Sequence, residues 1–212
     1  MPTVLLVRHG QASFGGADYD VLSERGRAQS ARLAAELAGR GAAYERIVSG
    51  SLARQRDTAA ALGEYAVDPR WDEYDADDIL AHHSGSAARL ERPGQTALTP
   101  REFQDVLEAA LLEWVAAGES SPARETWPAF AARVAAALDA AAERSTVVST
   151  SGGAIAAVCV GLLGIAPAAF VALNRVTVNT GVTKIVRGRS GTSLVSFNEH
   201  GHLEAEGLVT YR

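Results

Sequence analysis

The sequence predicts an α/β fold, a three-layer α/β/α sandwich around a mostly parallel sheet. Short apolar runs typical of buried strands alternate along the chain with segments of helical periodicity, an order that places helices on both faces of such a sheet. The 212 residues are 47% hydrophobic and 21% charged, an ordinary globular mixture with enough apolar surface for one sizeable core. Neither an internal repeat nor a long linker divides the sequence, so we expect one domain over residues 1–212.

In the first half, strands are predicted over 3–7 and 47–48, and helices over 23–40 and from a cap at Ser49 or Ser51 to about 62. Ser23 is the expected N-cap of the first helix and Gly41 its C-terminal stop. Residues 64–98 are acidic and turn-rich, so we expect an irregular segment that lies over a site.

In the second half, helices are predicted from 99 to beyond 114, over 126–144 and over 154–163, and strands over 146–150, 176–186 and 194–197. Thr99 and Glu102 form a capping box around Pro100 at the first helical position. The run Ser151-Gly152-Gly153 predicts a tight turn, and Gly164 ends the helix that follows it.

Composition excludes several classes of function. The formal net charge of −5 argues against a nucleic-acid partner. The longest apolar stretch, 154–163, is half a membrane span, so we expect no membrane insertion. A single cysteine, Cys159, allows neither an internal disulfide nor a cysteine-based metal site. With no secretory signal evident at the N-terminus, a cytoplasmic protein is expected. The composition predicts no particular oligomeric state.

Three predicted strands end in polar segments that can carry chemistry. These segments are Arg8-His9-Gly10, Ser49 to Arg56, and Ser149 to Gly153. Because ligands bind at the carboxyl ends of the strands in such sheets, we expect the three segments to meet at one site.

The polar residues at two of these strand ends are suited to phosphate. A neutral imidazole such as His9 is a competent nucleophile near pH 7. Arg8 offers a planar fork for an oxyanion, and Gly10 lets the chain approach closely. Arg54 stands in the first turn of a predicted helix, where a cation opposes the helix dipole, which suggests that it faces an anion.

These segments resemble the motifs of the histidine phosphatase superfamily, the phosphoglycerate-mutase-like proteins. The matching elements, in chain order, are Arg8-His9-Gly10, Leu22-Ser23-x-x-Gly26-x-x-Gln29, Ser51-Leu52-Ala53-Arg54 with Thr58 (in the family, Ser-x-Leu-x-Arg-Ala-x-Gln-Thr), and Trp71-Asp72-Glu73. Their order and spacing agree along essentially the whole chain.

The resemblance implies a role for each matching residue. His9 would accept the phosphoryl group and form a phosphohistidine, while Arg8 and Arg54 would bind the phosphate. Glu73 matches the general acid that protonates the leaving oxygen, with Asp72 and Asp75 as rivals for that role. Neither a metal nor another cofactor is implied, and the expected partner is a small phosphorylated molecule.

One departure from the family concerns Ser151, which stands where the family has a second histidine in a Ser-His-Gly-Gly element. Ser151 can still donate one neutral hydrogen bond, from a shorter side chain. The replacement leaves three readings: a slow phosphatase, a phosphatase with a rearranged site, or a phosphate-ester binder without turnover. His82 and His83 are candidate substitutes, although solvated loop histidines are the simpler interpretation.

The residues that would line the site do not name a substrate. We expect Gly10, Gln11, Ser13, Phe14 and Gly152 to contact it. Phosphoglycerate mutases carry an Asn shortly after the Arg-His-Gly and a Glu-Arg-His-Tyr-Gly segment, both of which this chain lacks, so mutase activity is poorly supported.

Two other chemistries are weaker interpretations. A serine hydrolase based on Ser151 would need a Gly-x-Ser-x-Gly elbow, and Ser149 occupies the place of its first glycine. A metal site at His200-x-His202 lacks a specified third ligand, so a solvated segment is the better reading.

Overall fold

The computed structural model describes residues 1–13, 20–41, 44–83 and 99–211. The strands are β1 (Thr3–Arg8), β2 (Arg46–Ser49), β3 (Ala66–Val67), β4 (Thr146–Thr150), β5 (Val182–Gly188) and β6 (Gly191–Glu199). The helices are α1 (Glu24–Gly39), α2 (Ala53–Leu62), α3 (Ala76–His82), α4 (Pro100–Ala117), α5 (Trp127–Ala141), α6 (Gly152–Leu163), α7 (Ala169–Val176) and α8 (Gly201–Glu204).

The strands form one sheet in the order β3-β2-β4-β1-β5-β6. The pairs β3/β2, β2/β4 and β4/β1 are parallel, whereas β5 pairs antiparallel with β1 and with β6. The prediction of a mostly parallel sheet is therefore confirmed, with β5 as the reversed strand. The central position of β1 explains its continuous apolar run, since Val4 to Val7 are at most 1% exposed.

Helices cover both faces of the sheet, as the predicted three-layer sandwich requires. On one face, Val4, Leu6 and Val148 pack with the aromatic side chains of α4, α5 and α7. The rings of Trp114, Trp127, Phe130 and Phe170 lie with their centroids 4.6–6.3 Å apart. On the other face, the core residues are Leu5, Val7, Leu33, Leu37, Val147 and Val182.

The predicted caps of two helices are confirmed. The Ser23 hydroxyl accepts a hydrogen bond from the backbone N–H of Gly26 and begins α1. Thr99 and Glu102 form the reciprocal capping box at the start of α4. Gly41 and Gly164 follow α1 and α6 with φ near +60°, a conformation in which glycine carries no steric penalty.

The predicted cap of α2 is wrong. The N-cap is Leu52, and neither serine side chain caps the helix. The Ser49 hydroxyl donates to the Gly50 carbonyl, and the Ser51 hydroxyl donates to the carboxylate of Asp72. Both serines precede the N-cap residue, and their hydroxyl groups donate within the loop between β2 and α2 and to Asp72.

Two further predictions need correction near the site. Residues 151–153 do not form a separate turn, since α6 begins at Gly152 directly after Ser151. The strand predicted from 176 begins only at Val182, because 169–176 form α7 and 177–181 form a turn with Thr180 at φ 57°. The β-branched residues around 176–178 had suggested a strand.

Part of the predicted irregular segment 64–98 is regular. It contains β3, a 3-10 turn over Pro69–Trp71 and α3, and its residues 84–98 lie outside the described residues. That residues 1–212 form one domain stays a prediction. Among the described helices, we find none with both the length and the apolar character to traverse a bilayer.

Candidate active site

The carboxyl ends of three neighbouring parallel strands form the centre of the candidate site. Because β2, β4 and β1 are adjacent, the segments that follow them meet at one edge of the sheet. The His9 N–H donates to the Thr150 carbonyl at 2.8 Å, and the Gly50 N–H donates to the Ser149 carbonyl at 3.1 Å. The predicted convergence of the three strand ends is therefore observed.

His9 is buried, with 6% of its surface exposed, and both ring nitrogens have partners. Nδ1 lies 2.8 Å from the Gly10 carbonyl oxygen, which only accepts, so Nδ1 carries the hydrogen. Nε2 then holds a lone pair, and it accepts a hydrogen bond from Arg54 Nε at 3.1 Å. Burial, with the charges of Arg54 and Arg8, holds the pKa of His9 well below its usual value. The imidazole is therefore neutral near pH 7, with Nε2 turned toward a guanidinium.

The backbone around His9 is fixed by contacts from distant parts of the chain. Asn179 Nδ2 donates to the His9 carbonyl at 3.0 Å, and Thr58 Oγ1 accepts from the Gly10 N–H at 3.0 Å. A methyl group on Gly10 would lie 2.5 Å from the Gly26 carbonyl oxygen, so only glycine allows α1 to approach this loop.

Arg54 projects from the first turn of α2 and is paired with Asp20. Its Nη1 lies 2.7 Å from Asp20 Oδ1, while Asp20 Oδ2 accepts from the Ala53 N–H at 2.7 Å. The carboxylate thus lies at the N-terminus of α2, where free N–H groups and the helix dipole favour an anion. The anion that the sequence predicted opposite Arg54 is, in this structure, the carboxylate of Asp20. Nothing in the sequence around Asp20, an acidic residue before α1, indicated this contact.

Arg8 is held by backbone carbonyls from the C-terminal part of the chain. Its Nη1 donates to the carbonyl of Thr177 and, at 2.7 Å, to that of Tyr211. The guanidinium lies beside the N-terminus of α6: a methyl group built on Gly152 would be 3.7 Å from Arg8 Nε. These contacts orient the arginine at the end of β1.

Glu73 is the acidic residue that the structure brings to the start of α6. Its Oε2 accepts from the Gly153 N–H at 3.0 Å, and its Oε1 accepts from the Tyr74 N–H at 3.2 Å. Burial raises the pKa of Glu73, although these N–H groups and the nearby arginines act in the opposite direction. The carboxyl group is therefore set to hold a proton at higher pH than an exposed glutamate.

The two rivals of Glu73 have other partners. Asp72 accepts hydrogen bonds from the backbone and hydroxyl of Ser51. Asp75 caps α3 by accepting from the Asp78 N–H, and it pairs with Arg124 on the surface. Both carboxylates therefore have partners that stabilise local structure, and the choice of Glu73 as the acid stays a prediction.

Ser151 is fully buried between β4 and α6, and its Oγ accepts a hydrogen bond from Gln55 Nε2 at 2.8 Å. The histidines considered as substitutes lie at the end of α3. The His82 ring packs back on Asp78, and His83 Nε2 lies 3.2 Å from Ser121 Oγ. The His82 contact therefore lies within α3, and the His83 contact joins the end of α3 to the segment after α4.

The structure describes four of the five residues that the sequence predicts to contact the substrate. The Gln11 N–H donates to the buried Gln29 side chain, and the Ser13 N–H donates to the Val21 carbonyl. Gly152 faces the Asn174 side chain, since a methyl group there would lie 2.7 Å from Asn174 Oδ1. Phe14 lies outside the described residues.

A metal site is not formed by the residues that the structure describes. Within them, no group of three or more histidine, cysteine, aspartate or glutamate side chains is arranged to hold an ion. His200 Nδ1 lies 2.6 Å from the Asn198 carbonyl, and His202 Nε2 lies 3.4 Å from Thr180 Oγ1.

Comparisons with known proteins found a matching family model and similar solved structures. The family model described as histidine phosphatase superfamily (branch 1) matches residues 4–200. A mycobacterial glucosyl-3-phosphoglycerate phosphatase, solved with VO3, is 25% identical, with 94% of this chain and 100% of that chain covered and a TM-score of 0.64. A structure described as mycobacterial hydrolase 1 is 26% identical, with 94% and 99% covered and a TM-score of 0.64. A phosphoserine phosphatase from Entamoeba histolytica, solved with 3-phosphoglyceric acid, shares the fold at 18% identity, with 96% and 100% covered and a TM-score of 0.66. A search of curated proteins found no match.

Proposed function

Since the chain belongs to the histidine phosphatase superfamily, we propose that it hydrolyses small phosphomonoesters through a phosphohistidine at His9. The observation that carries this proposal is the state of the His9 ring. A hydrogen on Nδ1, held by the Gly10 carbonyl, leaves the Nε2 lone pair directed at Arg54, where a phosphate would be bound.

In the first step, the Nε2 lone pair of His9 attacks phosphorus, and the N–P bond forms as the ester P–O bond breaks. For this, Arg54 Nε transfers its hydrogen bond from Nε2 to a phosphoryl oxygen. The leaving oxygen takes a proton from the Glu73 carboxyl group, which burial keeps protonated to higher pH than usual.

In the second step, water hydrolyses the phosphohistidine. The Glu73 carboxylate accepts a proton from the water as the water oxygen attacks phosphorus. The N–P bond breaks, which releases inorganic phosphate and restores the neutral His9 ring. No proton or electron pair is left over after the cycle.

The remaining site residues bind and stabilise charge. Arg8 and Arg54 offset the charge of the phosphoryl oxygens in both steps, and the Ser151 hydroxyl supplies a neutral donor where the family pattern has a histidine. We expect Gly10, Gln11, Ser13 and Gly152 to contact the rest of the substrate, a role that the sequence also predicts for Phe14. Both the nucleophile and the phosphate-binding charges are protein groups, so we expect activity to persist in EDTA.

Turnover of p-nitrophenyl phosphate by the wild type and by His9→Ala tests the proposal. We expect the variant to fold and to lose turnover, because the nucleophile is removed while the arginines remain. After a rapid quench, acid-labile phosphate should be found on the wild-type chain and be absent from His9→Ala. A wild type that binds phosphate without turnover would identify a phosphate-ester-binding protein instead, and a His9→Ala protein with the wild-type rate would refute the phosphohistidine.

A further inference from the structure

Gln55 is a buried polar side chain in the first turn of α2 whose amide group is fully engaged. Its surface is 0% exposed. Its Oε1 accepts from the Leu52 N–H at 3.3 Å, and its Nε2 donates to the Trp71 carbonyl at 3.2 Å and to Ser151 Oγ at 2.8 Å. Because both hydrogens of the amide nitrogen are used within the protein, Gln55 has none to offer a substrate.

The contact with Gln55 determines how the Ser151 hydroxyl is oriented. An Oγ atom that accepts from an amide keeps its own hydrogen directed away from that amide. Among the described residues, the structure gives this hydrogen no acceptor. Ser151 directly precedes Gly152, and a methyl group on Gly152 would lie 3.7 Å from Arg8 Nε, so Ser151 is adjacent in the chain to a residue that contacts the arginine of the phosphate site.

The space for the Gln55 amide depends on the glycine at the end of β2. A methyl group on Gly50 would overlap the Gln55 amide oxygen and lie 2.8 Å from Asp72 Oδ1. The amide therefore occupies space that is available only because residue 50 has no side chain, and it lies next to the short Ser151 side chain.

Positions 55 and 151 also depart together from the family pattern. The sequence element that the chain resembles has alanine at position 55, and its later element has histidine at position 151. Here the long side chain is at 55 and the short one at 151. The 2.8 Å hydrogen bond places the two side chains in direct contact.

We propose that Gln55 is a positioning residue that acts through Ser151: its amide fixes the Ser151 hydroxyl as a hydrogen-bond donor to the phosphoryl oxygens. The inference rests on the proposed function, because it assigns a donor to the same phosphate site. It implies that the Ser151 hydroxyl contributes to the rate only when Gln55 is present. It also implies that a histidine at 151 fits only after Gln55 is removed.

A double-mutant cycle measures this dependence. Gln55→Met keeps the volume and removes the amide, and Ser151→Ala removes the hydroxyl. We expect each variant to lower kcat for p-nitrophenyl phosphate roughly tenfold, the order expected for one neutral hydrogen bond, with KM little changed. The double variant should be no slower than either single one, because both changes remove the same donor. Gln104→Met, which removes a surface amide contact with Glu108 on α4, is the matched control and should keep the wild-type rate.

An exchange of side chains tests the contact between positions 55 and 151. Ser151→His alone should be slow or unstable, because the imidazole would overlap the Gln55 amide. The pair Gln55→Ala/Ser151→His should regain at least the wild-type rate. It should also show a new loss of rate as pH rises through the pKa of the introduced histidine, since the charged donor is then lost. With p-nitrophenyl phosphate, whose leaving group needs no general acid, the wild type should lack this additional loss, because a serine hydroxyl does not titrate in that range.

The outcomes separate the inference from the proposed function. Independent losses in the cycle, which multiply in the double variant, would overturn the inference even if the wild type is active. Equal gains from Ser151→His with and without Gln55 would overturn it as well. If the wild type shows no turnover, the proposed function fails, and the same cycle measured as vanadate affinity still decides whether Gln55 acts through Ser151. Thermal melts identify a variant that does not fold, and the Gln55→Ala/Ser151→His protein then supplies the deciding comparison.

Discussion

Glu73→Gln removes the proposed general acid while keeping the volume of the side chain. In the wild type, the two carboxyl oxygens accept from the N–H groups of Gly153 and Tyr74. Glutamine offers one oxygen, so one of these N–H groups loses its acceptor. We expect a stability cost of about 1 kcal/mol, seen as a melting temperature roughly 2–4 °C lower. The variant should therefore fold, and its kinetics can be compared with the wild type.

The kinetic effect of Glu73→Gln should depend on the leaving group. An alkyl phosphate releases an alkoxide that must be protonated, and a general acid contributes roughly 10²–10⁴ in rate. We expect kcat/KM for glycerol phosphate to fall by at least about 10², whereas p-nitrophenyl phosphate, whose phenolate leaves unprotonated, should lose roughly tenfold or less. Glu64→Gln, at an exposed position, is the control and should leave kcat/KM for both substrates unchanged.

The pH dependence gives a second measure of the same group. Because burial raises the pKa of Glu73, the acid form persists above the usual carboxyl range and is lost as pH rises through that raised pKa. The rate with glycerol phosphate should fall across this range in the wild type and stay flat in Glu73→Gln. Equal losses with both substrates, or an unchanged descending limb in the variant, would refute the assignment of Glu73 as the acid.

Three other predictions concern stability. The pKa of His9 is held low by burial and the neighbouring guanidinium groups, so below about pH 6.5 the unfolded chain binds a proton that the folded chain does not. Stability should fall as pH drops below that value, and denaturant titrations of His9→Gln should show a shallower fall. Gly10→Ala should lower the unfolding free energy by roughly 1–3 kcal/mol, because its methyl would press on the Gly26 carbonyl; an unchanged midpoint would contradict this close approach. Thr99→Ala should remove the capping box with Glu102 at a cost of about 1 kcal/mol and leave activity unchanged, as thermal melts and a phosphatase assay would show.

Much of the fold could be predicted because its signals are local. Ser23 and Thr99 cap helices that begin directly after them, and Gly41, with a positive φ, follows the C-cap residue of α1. The apolar run of β1 reflects burial on both faces of a central strand. Each of these signals depends on residues within a few positions of one another. The meeting of the three strand ends followed instead from the inferred parallel sheet.

Local signals failed where two interpretations competed within one short segment. Ser49 and Ser51 were equally plausible caps for α2, but the helix begins after Leu52, and Ser51 is bound through its N–H and its hydroxyl to Asp72, 21 residues ahead in the chain. Likewise, the β-branched residues at 176–178 favour a strand by propensity, while α7 continues to Val176 and the Val178 N–H donates to the Asn198 side chain at 2.8 Å. Tertiary contacts decided both cases.

Several contacts that hold the site have no sequence signature at all. The Arg8 guanidinium is bound by the carbonyls of Thr177 and Tyr211, and any residue type supplies a carbonyl. Nothing about the amino acids at 177 and 211 therefore indicates this role. The His9 carbonyl does depend on a side chain, that of Asn179, but the two residues are 170 positions apart in the chain. The reacting groups of such a site can be recognised in short motifs because the chemistry requires particular side chains. The contacts that position these groups come largely from backbone atoms that only the fold brings together.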